Sequence, residues 1–228
     1  MRFGVESKST FLVLVVTLFV MFGNACAQTK EDKMKQIKEH EEKARQFRYQ
    51  GNLEGAVKEQ QKAVDIDPNN VGSLVLLGSI YLEKKDWKKT VEILNKAAAI
   101  EPNDAVIHDM LGGALENLGN NQKSLEHTKK AVELEPENVR YLTNLGAAYS
   151  LIEDKTNERK SYEKALRIDP KYVDAFYGLA LLEEEEGNID KAIFLFNQVV
   201  QSKTEDEEII RRTKEKLNKL EKEKINNP

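Results

Sequence analysis

Cysteine is almost absent from the sequence, since Cys26 is the only one among 228 residues. A single cysteine excludes any disulfide within the chain, so stability must come from packing. The sequence also lacks a phosphate-binding loop, a nucleophile elbow and a Cys/His ligand cluster. Its three histidines have no pair at the close spacing of metal-binding helices. These absences predict a protein with no catalytic residues, no metal site and no cofactor.

An excess of one charge is absent as well. The sequence has 35 Lys and Arg against 39 Asp and Glu, a formal net charge of -4. A general nucleic-acid binder needs a strongly basic face, so nucleic acid is not an expected partner. Charged residues nevertheless make up 32% of the chain, which is typical of the solvated outer faces of packed helices.

Proline is scarce, and its few copies are ordered. Four of the five prolines stand 34 residues apart, each has an alanine five residues before it, and the fifth proline is the last residue. A fixed period of 34 residues predicts stacked copies of one structural unit. The periodic prolines are Pro68, Pro102, Pro136 and Pro170.

The period divides the chain into repeats that each predict two helices. A small residue stands at the eighth place of every repeat, and apolar residues recur three, four and seven apart, as on one face of an amphipathic helix. Turn residues separate two such stripes, and the proline ends the second helix. Asn70, Asp104 and Asn138 are placed to cap the next helix. The five repeats cover residues 37–70, 71–104, 105–138, 139–172 and 173–206.

The repeated columns resemble the tetratricopeptide repeat. Leu77, Gly78 and Tyr81, followed by alanines and then the proline, show the pattern in one repeat. The resemblance implies an all-α fold, an α-solenoid in which five helical hairpins form a right-handed superhelix. No repeat has the family's tryptophan at the fourth place, and two have His40 and His108 there, for which we predict a packing role.

Residues 207–228 are predicted to form a C-terminal capping helix and tail. Ile209, Ile210, Leu217 and Leu220 would lie on one side of this helix, where they can cover the apolar face of the last repeat. The fifth repeat has Thr204 in place of its proline. We therefore expect the chain to run on into the capping helix with little interruption.

The resemblance also implies a binding groove. In this family the first helices of the hairpins line a concave wall that contacts a segment of another protein. Members that grip a terminal carboxylate use Lys and Asn where this chain has Glu41 and Arg45, so that kind of clamp is not expected here. The residues at the groove places are Lys38, Arg45, Arg48, Val75, Ser79, Leu82, Asp109, Glu116, Asn117, Arg140, Thr143, Asn144, Tyr177 and Glu184.

Together these features predict a protein that is not an enzyme. The favoured function is an adaptor or scaffold for protein–protein interaction, whose partner is a peptide segment or helix of an envelope protein. The alternative is a structural spacer or self-associating protein without a peptide ligand.

The N-terminus predicts export. Residues 11–22 form an apolar run of twelve behind Arg2 and Lys8, which is the layout of a secretory signal over 1–27, and 28–36 would lead into the first repeat. Twelve residues are too few to span a bilayer, which needs about 20. Cys26 leaves three possibilities open. The signal is cleaved between small residues before Gln28, or the sequence around Cys26 resembles a bacterial lipoprotein box, which implies that Cys26 is lipidated, or the segment stays as an uncleaved anchor. The expected location is therefore the periplasm, the outside, or a lipid anchor in the envelope of a bacterium.

The fourth repeat has one anomaly. Its second helix opens with polar residues from Lys155 to Arg159, where the other repeats have small and apolar residues. We expect Glu158 to face Gly146 and to extend its stem to solvent. The segment would then be either a weaker junction or a point of partner binding or flexing.

Overall fold

The computed structural model describes residues 29–202 and 204–226, and all its regular secondary structure over these ranges is helical. The predicted signal and Cys26 lie outside the described residues. The chain divides into two compact bodies, an N-terminal body of Met1–Lys84 and a C-terminal body of Lys85–Pro228. Within the described ranges, no helix combines the length and the apolar character needed to cross a membrane.

The described part of the N-terminal body contains three helices. Helix α1 covers residues 29–49, α2 covers Leu53–Ile66 and α3 covers Val71–Glu83. Helix α1 begins before the first repeat, so most of the predicted 28–36 lead-in is already helical. The small residues Ala44 and Ala56 pack with Ile80 in the core of this body, because each is small enough to let two helices approach closely.

The C-terminal body contains eight helices over its described residues. Consecutive helices pack against each other from α4 to α11, and α7 also contacts α5 and α9. The first helices of the third, fourth and fifth repeats therefore stand side by side. The helices are α4 (Trp87–Ile100), α5 (Ala105–Asn117), α6 (Asn121–Leu134), α7 (Val139–Ser150), α8 (Lys155–Ile168), α9 (Val173–Glu185), α10 (Ile189–Gln201) and α11 (Glu207–Asn226).

The helix ends follow the sequence signals. Helices α2, α4, α6 and α8 each end two residues before a periodic proline, as predicted. The side chains of Asn70, Asp104 and Asn138 accept hydrogen bonds from backbone N–H groups in the first turns of α3, α5 and α7. The predicted helix stops and caps are therefore confirmed.

The turn inside a repeat needs one residue in the left-handed conformation. Gly119 supplies it in the third repeat with φ 73°, which costs a glycine little. Lys85 and Glu153 adopt the same region with φ 59° and 61°, although they carry side chains. The turns of the second and fourth repeats are therefore strained relative to the others.

The chain does not run on from the fifth repeat into the capping helix. Helix α10 ends at Gln201, and Ser202 is extended with φ -64° and ψ 151°. The Asp206 carboxylate then accepts hydrogen bonds from the backbone N–H groups of Glu208 and Ile209. This N-cap begins a separate helix. The expectation of little interruption was wrong, because polar capping ends one helix and begins the next without a proline.

The capping role of α11 is confirmed. Leu217 and Leu220 are buried in the same core cluster as Phe196 of α10. Thr213 is buried on the same side, whereas Ile209 and Ile210 are half-buried. Helix α11 thus covers the apolar face that the last repeat would otherwise leave exposed.

Candidate partner-binding surface

In the N-terminal body, the predicted groove residues lie on α1 and α3. All six are exposed or half-buried, so a partner could reach them. Two of their cations already have carboxylate partners, since Arg45 bonds Glu42 at 2.7 Å and Arg48 bonds Glu83 at 3.0 Å. This part of the surface is therefore less basic than its sequence indicates. The six residues are Lys38, Arg45, Arg48, Val75, Ser79 and Leu82.

In the C-terminal body, three predicted groove residues form one cluster. The Asp109 side chain on α5 is only 4% exposed. Its Oδ2 accepts a hydrogen bond of 2.5 Å from Nη1 of Arg140, and its Oδ1 accepts one of 2.7 Å from Nδ2 of Asn144. Helix α5 is thus tied to α7 by a charge-assisted pair with Arg140 and by a hydrogen bond from the side-chain amide of Asn144. We call Asp109, Arg140 and Asn144 the α5–α7 cluster.

Two predicted groove residues are not accessible. Asp109 is buried, and Thr143 is 8% exposed and donates its hydroxyl to the Val139 carbonyl at 2.8 Å. These side chains can support a binding surface by holding other residues, but they cannot present much of their own area to a partner.

Arg140 is the most organised of the accessible groups. Its guanidinium carbon lies 4.8 Å from the centre of the Tyr141 ring, in addition to the bond with Asp109. Its side chain is nevertheless 52% exposed. Stacking and pairing fix the orientation of the guanidinium, while half of the side chain remains in contact with solvent.

The remaining groove places of this body differ in how they are held. Glu116 and Asn117 are exposed on α5. On α9, Tyr177 makes an edge contact with Phe196 at 5.8 Å between ring centres, and Glu184 accepts a bond of 2.8 Å from Lys216 of α11. The accessible surface therefore combines a fixed cation, amides, an aromatic ring and carboxylates.

A pair of histidines was missed by the sequence reasoning. Nδ1 of His108 lies 2.9 Å from Nδ1 of His127, their rings stack at 5.2 Å, and Nε2 of His108 bonds the Pro102 carbonyl at 3.0 Å. Burial and the charge of His108 lower the pKa of His127. His40 and Glu59 form the corresponding pair in the first repeat at 2.9 Å. The two members of each pair are 19 residues apart in sequence. This shared spacing between the first and second helix of a repeat was the signal that could have predicted the contacts.

Family comparisons agree with this architecture. A TPR repeat model matches residues 44–85. One tetratricopeptide repeat model matches residues 71–104, 105–138 and 139–172, and a second one matches residues 161–194. Together these matches run without a gap from residue 44 to residue 194. The chain belongs to the tetratricopeptide repeat (TPR) family.

Solved structures share the TPR fold with this chain. A tetratricopeptide repeat protein from Parabacteroides merdae is 22% identical, with 82% of this chain and 74% of that chain covered and a TM-score of 0.69. PilF from Pseudomonas aeruginosa is 18% identical, with 83% and 90% covered and a TM-score of 0.67. YrrB is 21% identical, with 85% and 97% covered and a TM-score of 0.63. At these identities the likeness shows the fold alone, and it confirms the predicted α-solenoid. A search of curated proteins by sequence finds no relative.

The anomalous fourth TPR differs from its prediction. Glu158 is only 3% exposed, so its stem does not reach solvent. The space over Gly146 is filled by the ring of Tyr162, since a Cβ at Gly146 would lie 2.5 Å from Cε1 of that ring. Tyr162 also packs on Gly178 of α9. The prediction was wrong because a tyrosine one turn further along α8 occupies the gap that we assigned to Glu158.

Burial strongly raises the pKa of the Glu158 carboxyl group. Desolvation, followed by the negative charge of Glu185, raises its pKa to about 7, although the hydroxyl of Ser150 opposes the shift by hydrogen bonding. The nearest cations are engaged elsewhere, because Lys155 bonds Glu185 at 2.8 Å and Arg159 bonds Glu183 and Glu186.

Glu183 on α9 is the second buried glutamate of this junction. Its side chain is 1% exposed, and it accepts hydrogen bonds from Arg159 at 2.5 Å, Lys191 at 3.0 Å and Asn188 at 2.8 Å. Burial opposes ionisation, but these donors outweigh it and lower the pKa of Glu183 to about 2. Among the described residues, no group of three or more His, Cys, Asp or Glu could hold a metal ion.

Proposed function

We propose that this TPR protein is a non-catalytic adaptor in the bacterial cell envelope. The TPR fold implies a scaffold for protein–protein interaction. The finer proposal is that a peptide segment or helix of an envelope protein lies along the first helices, in a concave groove. The observation that supports it best is Arg140, which is held by Asp109 and Tyr141 while half of its side chain stays exposed.

A fixed and accessible guanidinium favours binding for an entropic reason. Ordering a flexible side chain at an interface costs about 0.5–1.5 kcal/mol, and Arg140 has already been ordered by the α5–α7 cluster. Arginine has five N–H donors, of which the bond of Nη1 to Asp109 uses one. The geometry suits a partner segment that offers carboxylate or carbonyl oxygens, with Tyr177 and Asn117 as further contacts.

The fold neighbours give limited support. YrrB is a TPR protein with an unusual peptide-binding site. The two chains share a fold, so a peptide ligand for this chain is consistent with what one neighbour does.

Site-specific crosslinking tests the adaptor proposal. A photo-crosslinking amino acid is placed at Asn117, on the proposed binding face, or at Lys160, which is exposed on α8. We expect Asn117 to capture a protein partner in intact cells and Lys160 not to capture it. Capture of a second copy of the chain alone would favour self-association, and no capture from either position would favour a spacer.

Charge reversal then tests the face itself. Glu116→Lys changes an exposed groove place of the C-terminal body, and Glu163→Lys on α8 is the matched control because each variant replaces one exposed carboxylate by a cation. Reversal at Arg140 is avoided because it would leave buried Asp109 without its cation. We expect crosslinking from Asn117 to fall at least about tenfold in the groove variant only. Equal yields in both variants would contradict groove binding.

The envelope location rests on the predicted signal over 1–27 and is tested separately. Metabolic labelling with a palmitate analogue should mark the wild type and not Cys26→Ala if Cys26 is lipidated. A mature chain that begins at Gln28 and takes no label would instead show cleavage to an exported soluble form. Recovery of the uncleaved chain in the cytoplasm would contradict export.

A further inference from the structure

The junction between α8 and its neighbours contains a buried carboxyl group with no cation of its own. Glu158 is 3% exposed, and the one hydrogen-bonding group that lowers its pKa is the neutral hydroxyl of Ser150 at the end of α7. A buried carboxylate requires a cation or several donors to remain ionised, because desolvation otherwise favours the neutral acid. Glu158 has one hydroxyl where Glu183 has two cations and an amide.

The charged groups around Glu158 offset its burial only in part, because the charges of Glu185 and Glu186 raise its pKa while the charge of Lys155 lowers it. On α8 itself, Lys155 is paired with Glu185, and Arg159 with Glu183 and Glu186. Helix α9 therefore presents carboxylates toward Glu158, and Lys191 of α10 is bonded to Glu183. On the α5 side, the negative charge of Glu116 raises the pKa of the Tyr162 phenol, as the charge of Glu158 does. On the α6 side, the ammonium group of Lys129 lies over the Tyr149 ring.

We propose that Glu158 is a proton-dependent latch, in which the neutral acid holds α8 against α7 and α9 and loss of the proton loosens this junction. An ionised Glu158 would be a buried charge facing other carboxylates, and the structure can relieve it only by admitting water between the helices. The latch does not depend on the adaptor function, because it concerns the stability of one repeat junction.

The direction of the pH effect follows from the protonation states. The pKa of Glu158 is raised from an ordinary 4.5 to about 7, so the folded junction binds its proton more tightly than the open one. The stabilisation is complete below about pH 4.5, declines as pH rises, and is lost above about pH 7. The junction should therefore be closed in mildly acidic surroundings and looser in mildly alkaline ones.

Hydrogen exchange of the full chain tests the latch. Exchange is followed by mass spectrometry between pH 5.5 and 8.5, corrected for intrinsic exchange rates, with α6 as the internal reference for α8. We expect protection of α8 relative to α6 to fall at least about tenfold over this range in the wild type. Glu158→Gln should abolish the fall, because the amide is neutral at every pH. Glu163→Gln, an exposed position on the same helix, should behave as the wild type does.

Two outcomes would overturn the proposal. One is constant relative protection of α8 in the wild type. The other is an unchanged pH dependence in Glu158→Gln, which would assign the dependence to another group such as His127. If Glu158→Gln fails to fold, carboxyl carbon NMR of the wild type decides instead. A titration midpoint for Glu158 near 7 supports the latch, and a midpoint below 5 rejects it.

Discussion

Glu158 and Glu183 are both almost fully buried in the same junction, but their pKa values are shifted in opposite directions. Burial and nearby carboxylates raise the pKa of Glu158 to about 7, whereas Arg159, Lys191 and Asn188 overcome burial and lower the pKa of Glu183 to about 2. The difference shows that burial alone does not determine the protonation state. The number of donors that each carboxyl group faces decides it.

The two groups also affect stability in separate ranges of pH. Glu183 stabilises the fold above its unfolded pKa of 4.5, and this contribution is lost as pH falls toward 2. Glu158 stabilises the fold at low pH, and its contribution is lost as pH rises from about 4.5 through about 7. The junction is thus predicted to be most stable near the lower end of the Glu158 range.

The strongest test of the comparison removes a donor from Glu183. Arg159→Met deletes one of the two cations paired with the Glu183 side chain, which is 1% exposed. Because Lys191 and Asn188 still bond Glu183, we expect a loss of about 3 kcal/mol, the lower end of the cost of breaking a buried pair. We expect the urea midpoint at pH 7 to fall accordingly. Arg212→Met, an exposed cation paired on α11, should cost less than about 1 kcal/mol. Similar losses in both variants would show that the Glu183 pairs behave as surface pairs.

The second test uses acid. In Glu183→Gln the group cannot titrate, so we expect the wild type to exceed this variant in stability at pH 6 and to lose about 3 kcal/mol of that advantage as pH falls toward 2. Unfolding by urea at a series of pH values measures the difference. An advantage that stays constant down to pH 2 would mean that the donors do not lower the pKa of Glu183.

The third test disturbs the ring beside Glu158. In Gly146→Ala the new methyl group would meet Tyr162, which is also confined by Gly178, so we expect a loss of about 1–3 kcal/mol from overpacking. Gly113→Ala is the matched control, since no atom lies within 4 Å of its Cβ position, and it should gain about 0.5–1 kcal/mol. Thermal unfolding compares the two, and a neutral Gly146→Ala would indicate that Tyr162 can move away at little cost.

The smallest effect is expected at Ser150. Its hydroxyl lowers the pKa of Glu158, so Ser150→Ala should raise that pKa further and shift the onset of α8 exchange to higher pH. The stability change should stay near about 1 kcal/mol, the usual contribution of one hydrogen bond. Carboxyl NMR of Glu158 measures the shift, and a lower midpoint would contradict the assigned role of Ser150.

The repeat frame explains how much of the fold could be predicted. Helix ends at the prolines and caps at Asn70, Asp104 and Asn138 depend on contacts between residues a few positions apart. These ends can therefore be predicted from the repeating sequence. The break after Gln201 was missed because no proline marks it and the Asp206 cap alone begins α11.

The binding surface was predictable only as a set of positions. The resemblance placed Asp109, Arg140 and Asn144 on first helices, but it could not show that they bond one another and bury Asp109. Such bonds join residues about one repeat apart, and their formation depends on the distance and orientation of two helices. The binding role of this surface remains a prediction.

The sequence by itself determined the 34-residue period, the helical hairpins and the positions of most helix ends, because these depend on local chemistry repeated along the chain. The tertiary structure alone decided which side chain fills each gap. It placed Tyr162 against Gly146, enclosed Glu158 without a cation and gave Glu183 three donors. The physical reason is that desolvation and pairing depend on atoms from several helices at once, and no single repeat contains them all.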